Sequence, residues 1–185
     1  MAYEFLTKTA LTDSTCLPYR GMDNSNWAET DCSERMCRNS DRFGNVAFVP
    51  SNQSLGVKVA EYGQVLGVEA MKAEIAARGP IACSMWAHSD LFEKYTGGVI
   101  TDRTKYPGTT HVINVVGWGR EEAQGLSYWI VRNSFGTNWG ELGYYRAEMG
   151  ANIYNMESHN CSWAVPDPAA TSALRRRSAR PGPGR

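Results

Sequence analysis

His111 opens a run of apolar and β-branched residues, HVINVVGWG, and Asn133 closes a second such run, YWIVRN. Both have the length and composition of strands. The segment between them holds Glu121, Glu122, Gln124 and Gly125, residue types that suit a hairpin loop. A hairpin closed symmetrically about Glu122 sets Val115 opposite Trp129 and His111 opposite Asn133. Directly opposed side chains sit ~5 Å apart at Cβ, so the ring and the carboxamide would meet at one open end of a sheet. Such a contact has two readings. It is either a satisfied structural hydrogen bond or a catalytic arrangement. In the second, the Asn carbonyl fixes the imidazole tautomer and leaves the other ring nitrogen to trade a proton with a nucleophile.

The surrounding elements must hold that pair. A third strand is expected near residues 143–148, after the Gly-punctuated stretch NSFGTNWGELG. Upstream, VEAMKAEIAAR (residues 68–78) has the spacing of a helix, with Val68, Met71, Ile75 and Ala76 on one face. Gly79-Pro80 stops it. Residues 81–86, IACSMW, read as a buried strand, and YTGGV (residues 95–99) as a turn into another short one. Weak alternation across residues 46–66 predicts short strands, and residues 2–10 part of a helix. Residues 16–45 are Asn- and Asp-rich with three cysteines and read as irregular loop.

The chain of 185 residues is long enough for one domain with a sizeable core. Its formal charge is zero, but the average conceals a division. The last seventeen residues carry five arginines and no acid, which leaves fourteen basic against nineteen acidic side chains in the body. That mildly acidic body has no electrostatic footprint for nucleic acid. No stretch is apolar enough for a membrane span. Neither the pair Cys32 and Cys37 nor any other spacing fits a zinc site, and no cofactor is expected. Five cysteines (Cys16, Cys32, Cys37, Cys83 and Cys161) leave one without an internal partner if the others pair. Two sequons, Asn52-Gln53-Ser54 and Asn160-Cys161-Ser162, lean with the cysteines towards an oxidising, secretory route. The N-terminal residues lack the basic and apolar regions of a signal peptide.

HVINVVGWG followed by YWIVRNSFGTNWGELGY resembles the His and Asn motifs of papain-family cysteine peptidases, most nearly those of the cathepsin X (cathepsin Z) branch. The helix, Gly-Pro, strand and Tyr-x-Gly-Gly-Val succession ahead of His111 is similar to the same family. The resemblance covers residues 2–168. It implies an α+β, papain-like fold, incomplete here: an antiparallel β-barrel-like lobe with few helices, most of the Cys-bearing helical lobe lying elsewhere. It implies His111 as the catalytic imidazole and Asn133 as its orienter. Phe135 stands where the family usually has a Trp covering the His–Asn bond, and Trp139 is the second aromatic of that motif. Ser84, Thr110 and Val112 correspond to cleft-wall positions. Cys83 and Cys161 sit where the cathepsin X branch has a disulfide. Cys16–Cys32 and Cys32–Cys37 stay open as alternative pairings.

The family nucleophile lies in a Gln…Gly-x-Cys-Gly-x-Cys-Trp stretch, and none of the five cysteines has those neighbours. The expectation is therefore the His/Asn half of a cysteine-type peptidase, inactive alone, for peptide or protein substrates and with a carboxypeptidase relative in view. A lysosomal, vacuolar or secreted setting goes with the resemblance. The alternative is a non-catalytic peptide-binding or regulatory module. Residues 1–168 form the peptidase portion in this reading, and residues 169–185 a disordered basic tail.

Overall fold

A computed structural model describes residues 2–12, 36–40, 46–50, 56–159 and 161–167. The predicted tail, Cys16 and Cys32 lie outside the described residues. The chain divides into two compact units, residues 63–163 and the remainder.

In the remainder, helix α1 (Ala2–Lys8) is short, and strand β1 (Leu11–Thr12) pairs antiparallel with β4 (Gly56–Val57). Strand β2 (Met36–Ser40) pairs antiparallel with β3 (Val46–Pro50). The expectation of irregular loop across residues 16–45 is thus corrected for Met36–Ser40. Its backbone is recruited by the apolar run Val46-Ala47-Phe48-Val49, because a strand with no neighbour leaves its amides unpaired.

The unit of residues 63–163 is built on a mixed sheet. Its strands are β6 (Ile81–Met85), β7 (Val99–Ile100), β8 (His111–Glu121), β9 (Leu126–Arg132) and β10 (Tyr144–Glu148). Two outer strands, β5 (Val59–Val65) and β11 (Cys161–Pro166), reach it from either end of the unit. The order is β5-β11-β6-β8-β9-β10-β7. The ladders from β11 through β10 are antiparallel, and β7 joins β10 in parallel. Period-two alternation sends Ile81, Cys83 and Met85 to the same buried side as Ile113, Val115, Trp129 and Val131. Each such side chain, fully withdrawn from water, contributes roughly 1.5–3 kcal/mol.

Helix α2 (Val68–Arg78) begins and ends where the spacing predicts, and Gly79 closes it with an N–H bond to the Ile75 carbonyl. The expected face needs one correction. Ala76 is exposed, and Glu74 is buried beside Met71 and Ile75. Arg78 explains this: its guanidinium grips both Glu74 oxygens at 2.6 Å and lies 3.9 Å over the Trp163 ring. The buried carboxylate is thereby paired and the cation covered.

The β8–β9 hairpin turns within the expected segment, with Gly125 at φ 66 in its tip, but it closes with Glu121 opposite Leu126 rather than about Glu122. The expected register does not hold. Val115 pairs with Val131, and Trp129 pairs with Trp118. A β-bulge between Val115 and Gly117 leaves Val116 as a surplus residue on β8. Gly119 lies so close under Tyr128 that an added Cβ would sit 2.6 Å from the ring.

Candidate active site

The last β8–β9 ladder pair is Asn114 with Arg132. One further step sets Asn133 beside Ile113, so His111 is its diagonal neighbour rather than its direct opposite. Diagonal pairs lie ~7–8 Å apart at Cα, within reach of long side chains. The contact is made: His111 Nε2 and Asn133 Oδ1 are 2.9 Å apart. His111, Ile113 and Val115 share one side of β8, and Asn133 continues the side of Trp129 and Val131, so both groups point to the buried face.

The donor can be assigned from the chain itself. Asn133 Oδ1 also accepts the Ser134 backbone N–H at 2.8 Å, which identifies that atom as the carbonyl oxygen. Nε2 must then donate, and Nδ1 is the nitrogen left to exchange a proton. Asn133 itself is fixed by its backbone N–H to the Gly143 carbonyl at 2.9 Å, and it is 8% exposed. Its Nδ2 finds no acceptor among the described residues.

The backbone of His111 is held by β6. It pairs with Met85, and Thr110 ahead of it donates its N–H to the Met85 carbonyl at 2.8 Å. Thr110 Oγ1 accepts the Ala87 N–H at 3.1 Å. Ser84 pairs with Val112 across the same ladder, and Val112 is exposed. Phe135 lies over the imidazole, ring centroids 5.3 Å apart, with 48% of its surface open. Behind it stands Trp139, 5.5 Å away, whose indole N–H donates to the Glu93 carbonyl at 3.0 Å. Phe92 touches both rings from helix α3 (Asp90–Glu93). The result is an imidazole with one nitrogen engaged, one aromatic face covered and a backbone held along β6.

Cys83 and Cys161, a directly opposed pair between β6 and β11, form a disulfide. His88 and His159 lie on the surface, apart from this pair. Among the described residues, no group of three or more His, Cys, Asp or Glu could hold a metal ion. Two polar residues escaped the sequence reading: Asn155 and Glu157, both 8% exposed. Glu157 accepts from Trp129 Nε1 and Gly150 N at 2.7 Å and from Asn152 N at 2.9 Å. The only advance signal was the abundance of Asn around ANIYN, a residue that tolerates left-handed backbone.

The sheet thus ends in a His–Asn pair under an aromatic cover, an arrangement able to orient an imidazole. The sequence profile described as papain family cysteine protease matches residues 1–164, and the chain belongs to that family. It is 34% identical over 170 residues to a cathepsin Z of Onchocerca volvulus, covering 89% of this chain and 52% of the relative. It is 30% identical over 155 residues to a cathepsin B-like CP2 of Giardia intestinalis, covering 84% and 47%. The chain thus spans about half the length of these curated relatives. Among solved structures, a digestive procathepsin L 3 of Tenebrio molitor larval midgut superposes with TM-score 0.64 at 23% identity, over 89% of this chain and 47% of that one. The proform of a ragweed pollen allergen cysteine protease gives 0.67 at 22%, over 89% and 44%. These likenesses establish the papain-like, α+β fold, of which this chain presents a part.

Proposed function

We propose that this chain carries the base half of a cathepsin X-like cysteine peptidase. His111 is its proton carrier and Asn133 the group that orients it. The observation that carries the reading is the 2.9 Å bond from Nε2 to a carbonyl whose identity Ser134 fixes. With Nε2–H committed, Nδ1 can take the proton of a cysteine thiol. The thiolate adds to a peptide carbonyl, Nδ1–H protonates the leaving amine, and the imidazole then draws a proton from the water that cleaves the thioester. Phe135 and Trp139 limit water around the bond, and Ser84, Thr110 and Val112 belong to the cleft wall.

The nucleophile and the oxyanion-binding Gln are absent from this sequence, so the polypeptide alone is inactive in this reading. Joined to the Cys-bearing half of a cathepsin Z relative, it is expected to cleave peptides in an acidic, lysosomal or secretory compartment, removing single residues from free C-termini. The test is fluorogenic peptide hydrolysis at acidic pH by the chain alone and by the fusion. Activity is expected from the fusion only, lost in His111→Ala, and absent on C-terminally amidated substrate. Turnover by the chain alone that His111→Ala abolishes would overturn the reading. A fusion that binds peptide but never turns over would favour a regulatory module.

A further inference from the structure

His111 is the first residue of its strand, and strand ends fray. The segment feeding it, residues 101–110, has no regular structure. Part of its bonding is internal: Asp102 accepts the Thr104 N–H at 3.0 Å and the Tyr106 hydroxyl at 2.7 Å. Such bonds stiffen the segment without tying it to the sheet. Its far end is tied by the Arg103–Glu148 ion pair, eight residues before His111. Its near end is tied through Thr110, whose N–H donates to the Met85 carbonyl and whose hydroxyl accepts the Ala87 N–H; the turn between these two anchors is held by one side chain from elsewhere. Asn155 donates both Nδ2 hydrogens, one to the Tyr106 carbonyl at 2.9 Å and one to the Gly108 carbonyl at 2.8 Å.

We propose that Asn155 is a positioning residue for His111: its carboxamide clamps the turn at Tyr106–Gly108 that delivers the imidazole to Asn133. This rests on the catalytic reading of His111. Three observations support it. Asn155 is buried and left-handed, φ 65, in a short 3-10 turn (Ile153–Asn155) where Tyr154 is left-handed too. Such backbone costs an ordinary residue energy and is kept where its side chain has a use. The turn grips both flanks of the site, since the Tyr154 carbonyl accepts the Trp86 N–H at 2.9 Å just past β6. Finally, the chemistry demands an amide. Two diverging N–H groups meet two carbonyl oxygens, whereas a carboxylate there would bring a third and fourth oxygen and no hydrogen.

The test uses the full chain uniformly labelled with 15N. Asn155→Gly keeps the left-handed backbone and deletes the donors; Asn155→Asp keeps the shape and reverses the polarity. In wild type the His111 ring is expected as the Nε2–H tautomer. In both variants its ring shifts should move towards those of a free imidazole, and His111 amide exchange should quicken roughly tenfold. Amides of Ile113 and Val115 should exchange as before. A folded variant that retains the wild-type His111 tautomer overturns the clamp alone. A wild type without that tautomer overturns the catalytic reading with it. Where neither variant folds, native-state exchange decides: His111 N–H must open together with the Asn155 side-chain amide, and independent opening overturns the clamp.

Discussion

Glu157 and Asn133 are equally buried polar side chains within one unit of the molecule, and they are treated in opposite ways. Glu157 is saturated, with its two oxygens accepting from an indole and two backbone amides. Asn133 spends its oxygen on Ser134 and His111 while its Nδ2 finds no acceptor among the described residues. A buried polar group gains stability only when its bonds are complete. Glu157 is arranged for stability. In the proposed reading the Asn133 oxygen serves instead to orient the imidazole.

The disulfide links the two neighbourhoods, because β11 follows the Glu157 turn and β6 carries Met85, the partner of His111. Cys83→Ala with Cys161→Ala frees a separation of 78 residues and should cost about 4 kcal/mol in urea unfolding, from lost chain constraint. Next comes Glu157→Ala, which strands the indole N–H of the fully buried Trp129 and two amides; about 3 kcal/mol is expected by the same measurement. Asn133→Ala should cost only about 1 kcal/mol. It should instead lower kcat of the peptidase fusion by roughly a hundredfold. A large stability loss there, with kcat intact, would erase the contrast.

The smallest effect belongs to a surface carboxylate. The Arg146 guanidinium hydrogen-bonds Glu141 and holds its carboxyl below the ordinary value of 4.5. A lowered acid binds fewer protons folded than unfolded, so its contribution is present above the unfolded value and fades as pH falls through the folded one. Glu141 is a third exposed, so the effect is small. Glu141→Gln should be slightly less stable than wild type at pH 7, and the two melting temperatures should converge at acid pH.

Much of this arrangement was legible in the chain. HVINVVGWG and YWIVRN announced their strands, and the succession of motifs announced the family and the Cys83–Cys161 bridge. The register was not legible, because the tip closes with Glu121 opposite Leu126 rather than about Glu122, which displaces the outer pairs by three, and the surplus residue at Val116 then takes one of those three back. Glu74 and Ala76 were exchanged because the hydrophobic pattern counts apolar residues and overlooks an acid paired by Arg78. Asn155 and Glu157 act through bonds to backbone across a turn, and such bonds follow geometry that no spacing rule describes.

The surplus residue at Val116 has a consequence for alignment. Because the ladder is already dephased between Val115 and Gly117, the strand segments on either side are separately registered. The bulge thus sets the imidazole end of the hairpin one step out of phase with its tip.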